Sequence, residues 1–278
     1  MKLSVVLATR NEEENIGRCL ESVKDIADEM IVIDEYSTDK TIEIAKKFGA
    51  KVFLEPHHDI FHITKQKALE KAKGEWILQL DADEVVSPEL KEDIKKVLEN
   101  KYHPIENKLF LRHQKLIENR DGKIGNEEDE IVGYFVPRRN FLMGKAIIHG
   151  GVYPDGVIRL VKNGKARFPQ LSVHEQIKLD GRVAWLSGDL LHYDYPTLKQ
   201  YLKLSNRYSD LMAREMIEKK MKKNIWIFLQ YTFFIPLFTF CSLYFRHLAV
   251  LDGVPGFFWS FYSAARFPIS YFKYLTNK

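Results

Sequence analysis

Residues 76–84 read WILQLDADE. The apolar run Trp76–Leu80 predicts a buried strand, and the carboxylates of Asp81, Asp83 and Glu84 follow that strand directly. Ligands of open α/β sheets bind beyond the carboxyl ends of the strands, so the acidic cluster lies where a ligand site is expected. The alternative is that these side chains cap the next helix or face solvent.

The first hundred residues alternate between apolar runs and amphipathic segments. The apolar runs, which predict strands, are 3–8, 29–35, 50–55 and 75–80. The amphipathic segments, which predict helices, are 11–26, 38–49, 64–74 and 87–100. Ser87 is the expected N-cap of the last helix, with Pro88 in its first turn. This alternation predicts βαβ units and therefore a mostly parallel sheet covered by helices.

The acidic residues after the fourth predicted strand also have the chemistry of a metal site. Asp81 and Asp83 share one face of a strand, and at its end they can converge on one point. Two close carboxylates repel each other unless a cation lies between them. Hard oxygen ligands favour Mg²⁺ or Mn²⁺, whose coordination is commonly completed by phosphate oxygens. The cluster therefore predicts a divalent metal that carries a diphosphate.

The pattern changes after residue 100. Short apolar runs separated by Gly, Pro and Asn predict strands at 109–117, 133–139, 156–163 and 166–171. Residues 120–130 are polar and predict a loop, and 197–223 predict a basic helix. We expect three regions: a ligand-binding half at 1–100, a mixed α+β half at 101–196, and a C-terminal region at 197–278.

The C-terminal region is apolar and aromatic. Residues 225–245 contain no charge and are long enough to span a bilayer, and four lysines between 219 and 223 precede them. Pro236 and several polar residues interrupt this run, and the following stretch mixes aromatic residues with charges. This mixture favours helices that lie in the headgroup region over a true span. A hydrophobic interface between copies of the chain is the alternative.

Composition sets further bounds. The 278 residues are 45% hydrophobic, which indicates a globular protein, and the net charge of +4 suits an anionic partner without indicating nucleic acid. Cys19 and Cys241 lie far apart, which excludes a disulfide framework and indicates a reducing compartment. The N-terminal apolar run is too short for a signal peptide. We therefore expect a protein that stays on the cytoplasmic side and is held at a membrane surface as a peripheral or monotopic protein.

Three segments in the first half resemble the opening of family 2 glycosyltransferases with the GT-A fold. They are VVLATRNEEENIGRCLESV (5–23), IVIDEYSTDKTIEIAKKFGA (31–50) and WILQLDADE. Residues 133–177, 190–209 and 251–274 resemble the lipopolysaccharide core β-glucosyltransferases. The resemblance implies a Rossmann-like nucleotide-sugar domain and inverting transfer of a hexose, with UDP-glucose favoured as donor. It also implies a membrane glycolipid acceptor such as the lipopolysaccharide core.

The resemblance assigns roles to individual residues. The residues expected to contact the donor are Thr9, Arg10, Glu12, Asp34, Lys65, Asp81, Ala82 and Asp83. Asp83 is expected to bind Mn²⁺ or Mg²⁺ directly, with His192 as a further ligand or, alternatively, as a buried structural histidine. The segment DEYSTD departs from the common DDGSTD form at Glu35 and Tyr36, which leaves the donor nucleotide open.

Inverting transfer also needs a general base that takes the proton of the acceptor hydroxyl. By family position Glu175 in SVHEQI is the first candidate, and Asp155 in GGVYPDG is the second. Asp155 is alternatively a turn residue, because Pro-Asp-Gly is strong turn chemistry. Arg138, Arg139 and Arg159 are candidates for contacts with anionic groups, with a plain surface charge as the alternative for at least one of them. The rival functions are transfer to a polyprenyl phosphate, transfer to protein, and a non-catalytic scaffold that binds nucleotide sugars.

Overall fold

The computed structural model describes residues 1–126, 130–169, 177–195 and 197–276. Within these ranges the chain forms two compact units. The first comprises residues 1–138 and 154–192, and the second comprises 139–153 and 193–278. The strands, in chain order, are β1 (Leu3–Thr9), β2 (Glu29–Asp34), β3 (Lys51–Leu54), β4 (Trp76–Leu80), β5 (Glu84–Val86), β6 (Ile131–Val136), β7 (Arg138–Leu142), β8 (Lys145–Ile147), β9 (Val157–Lys162), β10 (Ala166–Arg167), β11 (Lys178–Leu179), β12 (Arg182–Trp185) and β13 (Leu190–Tyr195).

The helices interleave with these strands in the first unit and dominate the second. They are α1 (Ile16–Glu21), α2 (Thr41–Lys47), α3 (Phe61–Lys71), α4 (Pro88–Leu98), α5 (Lys108–Asp121), α6 (Leu198–Glu218), α7 (Ile225–Leu229), α8 (Ile235–Cys241) and α9 (Val254–Thr276). Two π-helical segments, Gln230–Phe234 and Ser242–Arg246, join α7 and α8 and extend α8, and a 3₁₀ turn spans Ala249–Asp252.

The first unit contains a seven-stranded sheet in the order β12-β6-β9-β4-β1-β2-β3. β1 pairs in parallel with β2 and with β4, and Leu7 lies opposite both Val32 and Leu80. Every residue of β1 and of β4 is buried, as expected for central strands that are covered on both faces. β9 runs antiparallel between β4 and β6, so the sheet is mixed. The expected α/β architecture with a central sheet is confirmed.

A short antiparallel pairing fixes the far side of the acidic stretch. β13 pairs with β5 so that His192 lies directly opposite Glu84 in the register. β5 is the three-residue strand that immediately follows Asp83. A residue more than a hundred positions later in the chain is therefore held beside the acidic stretch by backbone hydrogen bonds.

The predicted start of α4 is confirmed. The Ser87 side chain accepts a hydrogen bond from the Leu90 backbone N–H, and Pro88 occupies the first turn. Asp93, further along the same helix, is buried and accepts from the backbone N–H groups of Ser187 and Gly188. The helix is thus tied to the loop that precedes β13.

The strand predicted at 109–117 is wrong, because this segment belongs to the helix α5. Asn107 caps the helix by accepting from the Leu109 N–H, and the buried residues Phe110 and Ile117 are seven positions apart, on one helical face. Leu111 and Leu116 are exposed, so the apolar run does not mark a buried strand.

The second unit is mainly helical. Ala213 and Met216 of α6 form a buried cluster with Tyr271 and Tyr274 of α9. A second cluster joins Leu142 and Ile147 of the β7–β8 hairpin to Tyr201 of α6. These contacts explain why α9, although rich in aromatic residues, forms part of a folded core.

One continuous helical run in the described ranges, Ile225–Arg246, is long and apolar enough to cross a membrane by length and composition, with a mean hydropathy of 1.6. None of its most apolar window is buried within the protein. Trp226 and Phe238 are each 71% exposed. The run therefore presents a large apolar surface that the described part of the chain leaves uncovered.

Candidate active site

A cleft of about 350 Å³ opens where β1 and β4 end, within the range typical of ligand sites. It is lined by Ala8, Thr9, Arg10, Glu12, Glu35, His57, Phe61, Lys65, Asp81, Ala82, Asp83 and His192. The residues assigned to donor or metal binding from the sequence all line this cleft, except for Asp34. The parallel register of β1 and β4 brings the two motifs to the same edge of the sheet.

Asp81 is neutralised by two cations. Lys65 Nζ lies 2.5 Å from one carboxylate oxygen, and an Arg159 amino group lies 2.5 Å from the other. Burial by itself raises the pKa of Asp81, but the charges of Arg159 and Lys65 outweigh it and hold the pKa well below its usual range. Asp81 is therefore a fixed anion, and Lys65 is a buried, paired lysine at the wall of the cleft.

Arg159 belongs to a buried network that continues behind the cleft. It also donates to Glu84, which is fully buried, over 2.6 Å. Arg138 lies 3.5 Å from the same Glu84 and bonds Asp155 over 2.8 Å. Burial by itself lowers the pKa of Arg159. The negative charges of Asp81 and Glu84 outweigh this effect, so the pKa of Arg159 is raised overall. Arg159 thus holds the acidic stretch in place.

Asp83 faces a histidine instead of a cation of fixed charge. Its carboxylate lies 3.3 Å from His192 Nε2. Burial raises the pKa of Asp83, and the hydrogen bond and charge of His192 more than offset this, so its pKa is lowered overall. No group of three or more His, Cys, Asp or Glu side chains is placed to hold a metal ion within the described residues. A carboxylate and an imidazole at an open cleft nevertheless suit Mn²⁺ or Mg²⁺ whose other ligands are phosphate oxygens and water.

Glu12 and Arg10 lie at the cleft on the loop after β1. Burial is the main reason that the pKa of Glu12 is raised; the hydrogen bond from Asn15 lowers it, and the charges of Asp83 and Asp81 raise it further. Arg10 is exposed. The cleft therefore places acidic side chains on one wall and basic side chains within reach of a bound anion.

Asp34 lies behind the cleft. It is fully buried and accepts hydrogen bonds from the Thr9 hydroxyl and from the backbone N–H and hydroxyl of Ser37. Tyr36, inside this turn, has a φ of 51° and is 59% exposed. This left-handed conformation favours glycine, which explains why the common DDGSTD form of this segment has glycine at the position of Tyr36. In this chain the turn is stabilised around Asp34 instead.

Four residues of the cleft were not predicted as site residues: Ala8, Glu35, His57 and Phe61. Glu35 is buried and accepts from the Thr64 hydroxyl over 2.5 Å, while His57 Nδ1 lies 2.6 Å from its other oxygen. Phe61 adds an aromatic wall. Glu35 was visible in the sequence only as a departure from the family motif, and His57 lies in a segment without a recognisable pattern.

The structure describes one of the two candidate general bases, Asp155, but not the other, Glu175. Glu175 lies in 170–176, outside the described residues. Asp155 has a φ of 37° in the turn after Pro154, and its carboxylate is bonded to Arg138. The structure therefore gives geometry for Asp155 and for its guanidinium partner.

Comparison with known proteins gives one family. Residues 4–106 match the sequence profile of glycosyl transferase family 2. The lipopolysaccharide core biosynthesis glycosyltransferase LpsC of Rhizobium meliloti (strain 1021) is 28% identical over 264 residues, which cover 92% of this chain and 86% of LpsC. The uncharacterized glycosyltransferase RT0209 of Rickettsia typhi (strain ATCC VR-144 / Wilmington) is 27% identical over 258 residues, which cover 86% of this chain and 79% of RT0209.

Among solved structures, that of S. aureus TarS matches with a TM-score of 0.45 and 14% identity, over 95% of this chain and 55% of the TarS chain. The similarity to glycosyl transferase family 2 therefore covers residues 4–106, and similarity to proteins named as glycosyltransferases extends over most of the chain.

Proposed function

We propose that this protein is an inverting glycosyltransferase that transfers a hexose from a nucleotide-diphosphate sugar, with UDP-glucose favoured, to a lipopolysaccharide core or related membrane glycolipid. The observation that carries the proposal is the cleft at the ends of β1 and β4, where the Asp83–His192 pair and the basic residues Lys65 and Arg10 line one cavity. The relative named for lipopolysaccharide core biosynthesis supports the acceptor class.

In this proposal different residues of the cleft contact different parts of the donor. Thr9, Arg10 and Glu12 line the nucleotide, Ala82 leaves room beside the acidic side chains, and Lys65 contacts the diphosphate. Asp83 and His192 would hold Mn²⁺ or Mg²⁺. Such an ion supplies Lewis acidity that neutralises the charge developing on the leaving diphosphate. Asp81 and Arg159 keep the loop that carries Asp83 in position.

Glu175 is the proposed general base, with Asp155 as the alternative. An inverting transfer needs a carboxylate that accepts the acceptor's proton as the hydroxyl attacks. The carboxylate of Asp155 is engaged by Arg138, and it would have to weaken those hydrogen bonds in order to accept a proton. This engagement favours Glu175.

We also propose that the protein works at the cytoplasmic face of the inner membrane, held by the C-terminal region 197–278. The exposed apolar run Ile225–Arg246 and the exposed lysines at 219, 220, 222 and 223 support this placement. A membrane-bound enzyme reaches a lipid-linked acceptor by diffusion in two dimensions. Residues 1–100 and 101–196 would then supply the donor half and the acceptor half, and the C-terminal helices could also join copies of the chain.

The experiment that tests this function is binding and hydrolysis of a panel of nucleotide sugars, with and without Mn²⁺ or Mg²⁺. We expect metal-dependent binding of one donor, UDP-glucose first. Absence of binding to every donor would reject the nucleotide-sugar assignment. Binding without turnover in the presence of phosphorylated and unphosphorylated core glycolipids would favour the scaffold.

A further inference from the structure

The second unit contains its own cavity, about 70 Å³ in volume, formed by residues of α6 and α9. Its walls include Tyr201, Tyr208, Trp259, Tyr262 and Arg266, with the hydroxyls of Ser205 and Ser263. Among the residues that the structure describes, none of the first unit lines it. The cavity is therefore separate from the cleft that holds Asp83.

Two buried donors in this cavity lack hydrogen-bond acceptors. Arg266 Nε and Trp259 Nε1 are inaccessible to solvent and have no partner among the described residues. The same part of the chain shows no ion pair for the Arg266 guanidinium. A buried donor or charge without a partner destabilises a fold, so such groups are normally satisfied by a ligand or water. An anion that accepts hydrogen bonds would supply a partner to both donors.

The remaining lining residues are suited to a phosphate group. A guanidinium binds phosphate oxygens through parallel hydrogen bonds, and serine and tyrosine hydroxyls add further donors. Burial is the main cause that raises the pKa of Tyr201 to about 12, so its hydroxyl stays protonated and adds no competing negative charge. The Tyr201 ring lies 6.2 Å from the Trp259 ring and 5.8 Å from the Tyr262 ring, between ring centroids, and these rings provide an apolar wall for the group that carries the phosphate.

The position of the cavity in the fold indicates which kind of phosphate-carrying ligand it suits. α9 packs against α8, which belongs to the exposed apolar run Ile225–Arg246. Aromatic side chains and arginine beside such a surface lie at the level of lipid headgroups. A soluble anion would have no need of this neighbourhood.

We propose that this cavity binds the phosphate group of a membrane-linked ligand, either a phosphorylated glycolipid acceptor or an anionic phospholipid headgroup. The acceptor version rests on the proposed function, whereas the phosphate site itself does not. Arg266 would bind the phosphate and Trp259 would donate its indole N–H to the same group or to the adjoining sugar.

The test compares Arg266→Gln with Arg246→Gln in the full-length chain. Both variants lose one positive charge from the second unit, but Arg246 is exposed at the end of the apolar run. Two probes are used. Binding to phosphatidylcholine vesicles is measured with and without phosphatidic acid, and binding of soluble glucose 1-phosphate is measured by calorimetry. Arg266→Lys, which keeps the charge, and the melting temperature of each variant show whether the fold survives.

We expect Arg266→Gln to weaken phosphate-dependent binding by about tenfold or more, as for a charge-assisted hydrogen bond, and Arg246→Gln by about twofold at most. Dependence on Arg266 with phosphatidic acid assigns the headgroup, and dependence with glucose 1-phosphate assigns a sugar phosphate. Equal losses in both variants, or no loss with either probe, would overturn the site. UDP binding measured in the same samples reports on the first unit, so failure of the proposed function is seen separately.

Discussion

Asp81 and Asp83 are two positions apart in the sequence but have different surroundings. Asp81 is held between Lys65 and Arg159, so it already has its counter-charges. Within the described part of the chain, the ion-pair partner of Asp83 is the imidazole of His192, 3.3 Å away, and Asp83 lines the cleft. Of the two, Asp83 therefore has the better position for binding an added cation.

Replacing Asp83 with Asn should remove metal-dependent turnover. The amide keeps the shape of the side chain but loses the negative charge, so we expect kcat to fall by about 10²–10³-fold, the usual scale for a lost electrostatic contact to the transition state. The measurement is the rate of transfer as a function of Mn²⁺ concentration. Glu89→Gln, which removes an exposed carboxylate from the first turn of α4, is the matched control. Unchanged Mn²⁺ dependence in the Asp83 variant would contradict the metal assignment.

The choice of general base can be decided by one pair of variants. Glu175→Gln should lower kcat by about 10²–10⁴-fold, the range for loss of a general base, and leave the affinity for the donor unchanged. Asp155→Asn should have a smaller effect on kcat, because Asp155 is engaged by Arg138. Single-turnover rates together with donor binding separate the chemical step from binding. If the large loss follows Asp155→Asn instead, the base is Asp155.

Sequence reasoning was most informative for residues that act through local motifs. Thr9, Arg10 and Glu12 could be named because they lie in a stretch that resembles the family motif, and Asp83 because it also follows a strand that the apolar pattern predicts. The role of Arg159 could not be found in this way, since it depends on a strand 78 residues beyond Asp81. Patterns of apolar residues identify strands, but they do not show which strands pair in the sheet. The pairing of β9 with β4, which brings Arg159 to Asp81, is therefore not visible in the sequence.

At the scale of elements, Glu29 at the start of β2 connects three parts of the first unit. Its side chain is 3% exposed and accepts from the Ser4 hydroxyl of β1, from Lys51 of β3 and from the backbone N–H of Lys73. Burial raises its pKa, but these hydrogen bonds and the charge of Lys51 outweigh it, and the pKa is lowered overall. The carboxylate form therefore stabilises the sheet.

Glu29→Gln should lower the free energy of unfolding by about 1.5–3 kcal/mol at neutral pH, as for lost hydrogen bonds to a charged group. Because the folded-state pKa is depressed, the contribution is fully present above the unfolded value and disappears as the pH falls through the folded pKa. The difference between wild type and variant in urea unfolding should shrink on acidification from neutral pH to below pH ~4. Glu21→Gln, at a surface pair, is the control and should change little. A difference that stays constant with pH would contradict this account.

The segment 109–117 shows why element type can be misread. Its apolar residues are dense enough to suggest a strand. Only two of them, Phe110 and Ile117, are buried, and they lie two turns apart on the inner face of the helix. Leu109, Leu111 and Leu116 point outward. Burial of both ends of a helical face, together with the Asn107 cap, decides in favour of the helix, and neither is visible from apolar content alone.

At the scale of the whole molecule, the exposed apolar run predicts attachment to a lipid surface. Replacing Trp226, Phe234 and Phe238 together with Gln should release the protein from lipid vesicles, with each buried ring contributing roughly tenfold or more to binding. Cosedimentation with vesicles measures this. These side chains are more than half exposed, so the fold should survive.

The control for this triple variant is Leu116→Gln, which removes an exposed apolar side chain from the first unit. We expect it to bind vesicles like the wild type. Equal binding of the triple variant and the wild type would show that the apolar run is covered by another chain, which would favour the oligomer interface.

The counter-charges of the acidic stretch have a consequence for protein synthesis. Asp81 and Glu84 are made early, but the Arg159 that neutralises both is added 78 residues after Asp81. At cellular rates of about 5–20 residues per second, roughly 4–16 seconds of translation separate the two events. During this interval Glu84 cannot adopt its fully buried position with its partner. A nascent chain that contains the whole region 4–106 therefore still lacks a finished cleft, because both Arg159 and the cleft residue His192 are added later.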